Sequence, residues 1–145
     1  MANIANIKPV ERTVEINNPA TGAPLGIRVR IMSIEDDRLK RIKREITDEW
    51  FKLESKNKSL KSEDVERNGN RLLFAATLGW DWYNPTGKEG DDGFDADAMP
   101  EFNGEVPEYN QRNFMAVIKE LPWFADQLRE EIDETKAFFV NSGRS

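Results

Sequence analysis

TVEINNPATGAPLGIRVRI, residues 13–31, is the stretch whose reading decides the fold class. Apolar and polar residues alternate at its two ends, from Thr13 to Ile16 and from Ile27 to Ile31, and NNPATGAPLG between them is dense in turn formers. Alternation with a period of two marks strands with one buried face, and the Asn, Pro and Gly cluster closes them into a β-hairpin. The spacing predicts a hairpin within residues 11–32, with Val14 and Ile16 facing Ile27, Val29 and Ile31 while Arg28 and Arg30 turn to water. A two-stranded hairpin is marginal alone in water, so this one needs helices to lie on.

The sequence that follows supplies them. Ser33 ahead of Ile34, Glu35 and Asp36 reads as a helix start, a hydroxyl cap followed by carboxylates at the positive dipole end. Leu39, Ile42, Ile46, Trp50 and Leu53 recur at spacings of three and four, an apolar stripe down a helix that ends near Ser55, where KNKSLK breaks it. A second helix is expected from Ser62 to Leu78, with Gly79 as its stop, Gly69 as its weak point, and the run Leu72 to Ala76 apolar on nearly every face. After Asn110, a plausible cap, Phe114, Val117, Ile118 and Leu121 mark a short helix that ends at Pro122. Proline is well placed to start the next helix there, with Phe124, Leu128, Ile132 and Phe139 as its stripe and residues 141–145 as a frayed tail. The 145 residues therefore read as one α+β, mostly α domain: an N-terminal hairpin packed on about four helices.

Between the second and third helices, residues 80–109 differ in character. Asp81, Glu89, Asp91, Asp92, Asp95, Asp97, Glu101, Glu105 and Glu108 stand against Lys88 alone, a net charge of −8 in a chain whose total is −6. Gly87, Gly90, Gly93, Gly104, Pro85, Pro100 and Pro107 interrupt any periodicity, so the segment reads as a long acidic loop. Its aromatic residues argue against a mere spacer. Trp82, Tyr83, Phe94 and Phe102 are costly to leave in water, so parts of the segment should fold back onto the body or wait for a partner, and these four are the candidate partner-binding residues, whereas Trp50, Trp80 and Trp123 lie on or beside apolar stripes and read as core.

Other chemistries find little support. The chain has neither cysteine nor histidine, which removes thiolate and histidine catalysis and the usual zinc sites. DDGFDADAMPE in the acidic loop does not place ligands and glycine at EF-hand spacing. Carboxylate pairs such as Glu130 and Glu131 sit on an exposed helix face. The basic run RLKRIKRE, residues 38–45, is interrupted at core spacing by Leu39 and Ile42, so a solvated helix face explains it better than a nucleic-acid patch; an internal partner for the acidic loop is a third reading. No catalytic, metal or cofactor residue is assigned, and the expectation is a protein that is not an enzyme. Net negative charge disfavours nucleic acid and anionic membranes. No apolar run reaches the eighteen or so residues of a membrane span, and MANIANIKPV lacks the apolar core of a signal peptide, so the expected location is the cytoplasm.

The order of elements also resembles a known family. The hairpin with NPATGAPLGIRVRI, the charged helix, the apolar helix ending in LLFAATLGWDW, the loop, and the closing NFMAVIKELPWFADQLREEIDETKAFF together resemble the tail assembly chaperones of long-tailed, siphovirus-like bacteriophages. The more specific part pairs Leu72, Leu73 and the Gly79-Trp80 end with Leu121, Trp123, Gln127, Ile132 and Phe138-Phe139; the likeness covers roughly residues 12–140, and the acidic segment Lys88 to Pro107 is longer than the family pattern. These are packing residues, not a catalytic signature. What the resemblance implies is a non-enzymatic helper in the host cell cytoplasm that binds the tape measure protein, keeps its long apolar helices dissolved and recruits tail tube subunits. In that family a programmed frameshift often adds a second domain to part of the product. The alternative reading is a structural virion component such as a neck or tail-completion protein, with a carboxylate-based hydrolase a distant third.

Overall fold

In the computed structural model, residues 11–32, 36–56 and 61–142 are described, with side chains as far as Ile132. The hairpin forms as its alternation predicts. Strand β1 (Arg12–Asn17) runs antiparallel to β2 (Pro24–Ile31), with Val14 opposite Val29 and Ile16 opposite Ile27. Val14, Ile16, Ile27, Val29 and Ile31 are all buried, and Arg28 and Arg30 are exposed on the other face. The Asn18 side chain accepts from the Ala20 and Thr21 N–H groups, and Gly22 takes the positive φ that closes the loop.

The hairpin gains a third strand that its sequence did not announce. Helix α1 (Asp37–Ser55) is followed by α2 (Ser62–Ala76), which stops two residues before the expected Leu78, and Gly79 is not its stop. Thr77–Trp82 is instead β3, antiparallel to β2, with Trp80 opposite Val29 and Trp82 opposite Ile27. Backbone groups explain the difference: β2 would otherwise expose unpaired N–H and C=O groups along one edge, and Thr77 turns extended to satisfy them. Trp82, expected at the start of a loop, is thus the last residue of a strand, and the loop begins at Tyr83. Gly79 has a different use, since the Arg30 guanidinium lies where its Cβ would be.

Each helix starts on a local device. Asp36 caps α1, accepting from the Arg38 N–H at 2.9 Å, and its bonds to the Arg38 side chain hold its carboxyl down to about 2. The expected cap, Ser33, lies outside the described residues. In α2 the Asp64 carboxylate accepts from the Lys61 N–H at 3.2 Å. Gly69 does not break that helix: its cost of about 1 kcal/mol is borne inside a continuous Ser62–Ala76 helix. Asn110 caps α3 (Gln111–Glu120) through the Asn113 N–H at 2.8 Å, and Pro122 opens α4 (Pro122–Ser142). Helix α4 extends through Asn141 and Ser142; residues 143–145, the rest of the expected frayed tail, and the side chains of Phe138 and Phe139 lie outside what is described.

The core lies between the inner sheet face and α2, α3 and α4. Leu73, Trp80, Phe114, Val117, Ile118, Phe124, Ala125 and Leu128 close over the strand residues. Gln127 of α4 fastens the free edge of β1, accepting from the Asn17 N–H and donating to its carbonyl, both at 2.8 Å. Arg12 reaches Glu131 of the same helix at 2.8 Å. A smaller cluster of Met32, Leu39 and Ala76, with Leu72, Ala75 and Leu78 beside it, seats the start of α1.

Strands β2 and β3 are neighbours in the sheet, so α1 and α2 form an inserted helical hairpin that leaves the body and returns to it. Arg71 of α2 bonds Glu49 at 3.0 Å and Glu45 at 3.4 Å, which sets the two helices side by side. Among the described residues no helix is long and apolar enough to cross a membrane.

Candidate interaction surface

The four aromatic residues singled out in the sequence do not form one surface. Trp82 points to the inner sheet face, half-buried, its ring edge-on to Trp80 at 5.6 Å between centroids. Its indole N–H is buried without a hydrogen-bond partner. Tyr83, the next residue, points the other way. Its hydroxyl donates to the Glu15 carboxylate, the Arg28 guanidinium lies 4.2 Å above its ring, and its N–H continues the strand to the Gly26 carbonyl at 2.7 Å. Burial, and then the bond to Glu15, push the Tyr83 hydroxyl pKa up. Phe102 packs against the main core and bridges to Glu105, while Phe94 is half-buried farther along the loop.

Tyr83 also explains Gly26. At a φ of 91° only glycine is comfortable there, and a Cβ would collide with the Tyr83 carbonyl oxygen. The close approach carries the chain from β3 into the loop.

The loop itself is built from carboxylates and amides that bond its own backbone. Asp91 accepts from the Lys88 N–H at 2.8 Å, Asp95 from the Asp97 N–H at 3.0 Å, and Asn84 donates to the Asp95 carbonyl at 2.7 Å. Among the described residues no three acidic side chains converge into a metal-holding group. The returning segment of the loop is pinned to the body by the Trp80 indole, which donates to the Pro107 carbonyl at 3.0 Å, and by a short Thr77–Tyr109 hydroxyl contact. Tyr109 stacks on Phe74 at 5.6 Å, and burial raises its pKa as well. Most of the loop's aromatic surface is therefore used inside the molecule.

Exposed apolar surface lies elsewhere. Phe51 is 64% exposed, Val65 50%, Val106 49% and Trp50 39%. Three of these belong to the inserted helical hairpin. Leu39 and Ile46 bury the first half of α1; beyond them Leu53 is half-buried, and Trp50, expected in the core, keeps 39% of its surface exposed. Phe51, one residue on, lies about 100° farther round the helix and falls off the stripe altogether. With Arg71 opposite Glu45 and Glu49, equal rise along both helices sets Val65 about level with the last turns of α1. The outer hairpin thus presents two aromatic residues and a valine at one end of the molecule, flanked by Asp48, Lys52 and Glu54, all exposed.

Sequence spacing missed Phe51, Val65 and Val106. The available signal was that Phe51 and Trp50 are adjacent, and adjacent residues of a helix cannot share a face. These side chains offer apolar area on two sides of the helix end to a partner that wraps it, with the charged neighbours supplying orientation. Comparison of the chain with protein-family models, with curated proteins and with solved structures finds no match to any of them.

Proposed function

We propose that this protein is a tail assembly chaperone of a long-tailed bacteriophage: a non-enzymatic protein that binds the tape measure protein in the host cytoplasm, keeps it dissolved and helps recruit tail tube subunits. The observation that carries the reading is the outer half of the α1–α2 hairpin, where Phe51 is 64%, Val65 50% and Trp50 39% exposed. Fully burying an exposed apolar side chain is worth about 1.5–3 kcal/mol, so a partner that wraps the hairpin end gains part of that from Phe51 and from Val65, and less from Trp50, which the fold already covers in large part. The net charge of −6 suits the role, because mutual repulsion keeps a complex with an apolar partner dispersed. The resemblance of the hairpin and the closing helices to that family supplies the identity of the partner.

The reading is tested by co-expressing the chain with the tape measure protein of the same genome and measuring how much of that partner stays in solution. Rescue with co-purification supports chaperone action. A chain that gives no rescue and is recovered from finished virions is a structural component instead.

A further inference from the structure

We propose that the Asn103–Gly104 turn is a self-modification site, where attack by the Gly104 main-chain nitrogen converts Asn103 to aspartate or isoaspartate. The sequence holds two Asn-Gly pairs, Asn68–Gly69 and Asn103–Gly104, and the fold places them in opposite settings. Asn103 and Gly104 are exposed and take positive φ, 53° and 85°, as the two central residues of a tight turn from Phe102 to Glu105. Space around Gly104 is open, with nothing within 4 Å of where a Cβ would stand. Among the described residues the Asn103 side chain makes no hydrogen bond that would hold it away from its neighbour's nitrogen. The turn is closed by two main-chain bonds, Phe102 N–H to the Glu105 carbonyl at 2.8 Å and Glu105 N–H to the Phe102 carbonyl at 3.3 Å, and no ladder continues beyond them. Opening it therefore costs little.

Asn68 has none of this freedom. It is 9% exposed in the middle of α2, where the helix fixes its main chain, so ring closure there requires the helix to unwind. Asn18 and Asn84 precede Pro19 and Pro85, whose nitrogens carry no proton to give up.

The chemistry needs only water. A solvent base removes the Gly104 N–H proton, and that nitrogen bonds to Asn103 Cγ. The bond from Cγ to Nδ2 breaks, and Nδ2 takes a proton from water and leaves as ammonia, so a five-membered succinimide remains. Water then opens the ring. Addition at Cγ restores the ordinary chain with aspartate at 103; addition at the main-chain carbonyl leaves Gly104 joined through Cγ, which is isoaspartate. Either product adds a negative charge to residues 80–109, already at −8. Isoaspartate also lengthens the turn by one main-chain atom, which puts Glu105 out of register with Phe102, a residue packed on the main core. The inference does not depend on the tail-assembly reading, since the reaction belongs to the isolated chain.

Peptide mass spectrometry tests it. The folded chain is held in mildly alkaline buffer, sampled over days and digested, with fragmentation that separates isoaspartate from aspartate; a parallel sample is kept in urea. In the folded chain Asn103 should convert at least about tenfold faster than Asn68, because α2 has to open before its ring can close. The rate should rise with pH, and the Asn103→Gln variant, which would need a six-membered ring, should stay unmodified at that position. In urea, where both pairs are open, the preference should vanish. Equal rates in the folded chain would overturn the proposal, as would an Asn103 that converts in urea but stays an amide when folded. A preference that persists in urea would trace to sequence and not to the turn, and would overturn it as well.

Discussion

Phe114 and Phe51 are the same side chain on two amphipathic helices of one protein, and they end at opposite extremes. Phe114 has no exposed surface; Phe51 keeps 64% of its own. The difference lies in what each helix has to pack on. Helix α3 is enclosed by the sheet, by α2 and by α4, so its apolar face meets rings on several sides: Phe74 at 5.3 Å, Trp80 at 6.0 Å and Tyr109 at 6.3 Å between centroids. Helix α1 is anchored at its first turns and then has α2 as its main neighbour, so beyond Ile46 the apolar residues are only partly covered: Leu53 is half-buried, and Trp50 and Phe51 stay exposed. Periodicity shows that a helix has an apolar face; it does not show that the same chain covers it.

The sharpest way to break this comparison is the matched pair Phe114→Ala and Phe51→Ala. The first removes a ring from a closed core and should cost about 3–5 kcal/mol. The second should change stability by no more than about 0.5 kcal/mol. Urea denaturation of both, with the slope held constant, reads the contrast, and equal losses would erase it.

Gln127 offers a smaller test on the body side. Its amide bonds both main-chain groups of Asn17 at the edge of β1, and Gln127→Ala leaves the pair half-buried without that partner. A loss of about 1–3 kcal/mol is expected, together with faster hydrogen exchange at the end of β1.

Trp80 and Trp82 sharpen the comparison further within one strand. The Trp80 indole N–H donates to Pro107, so Trp80→Phe should cost about 1–3 kcal/mol and loosen the loop's return. The Trp82 indole N–H has no partner, so Trp82→Phe removes an unsatisfied donor and should lie within about 1 kcal/mol of neutral, on either side.

The smallest effect is in alkali. Both tyrosines of the chain, Tyr83 and Tyr109, have raised pKa values because folding buries them. A raised pKa means that the folded state holds its proton longer, so stability is fully present below the unfolded value of 10.0 and declines as the pH rises above it. Absorbance at the tyrosinate band should show both groups titrating above 10 in the folded protein and near 10 in urea.

These contrasts also explain how far the sequence could be read. The β1–β2 hairpin, its inward set and its outward arginines were legible because a period of two has few alternative meanings. So were Asn110 as a cap and Pro122 as the boundary between α3 and α4. Strand β3 was not legible. Leu72 to Leu78 reads as continuous apolar helix, and only the unpaired edge of β2, a tertiary fact, draws Thr77 into extended backbone. The candidate surface was displaced for a related reason. The loop's aromatic residues looked stranded in a polar segment, yet Trp82 and Phe102 had a body to fold back on. Trp50 looked like core because its spacing matched Ile46 and Leu53, and nothing local reveals that a helix has left the body.

The central claim is that the outer half of the α1–α2 hairpin is built for a partner and not for the fold. The direct measurement is the amount of co-expressed tape measure protein kept in solution by the Phe51→Ser, Val65→Ser double variant relative to the wild type. The account predicts that the variant melts within about 2 °C of the wild type, as surface substitutions do, and loses most of the rescue. A variant that rescues as well as the wild type, or one that fails because its melting temperature has collapsed, would contradict it.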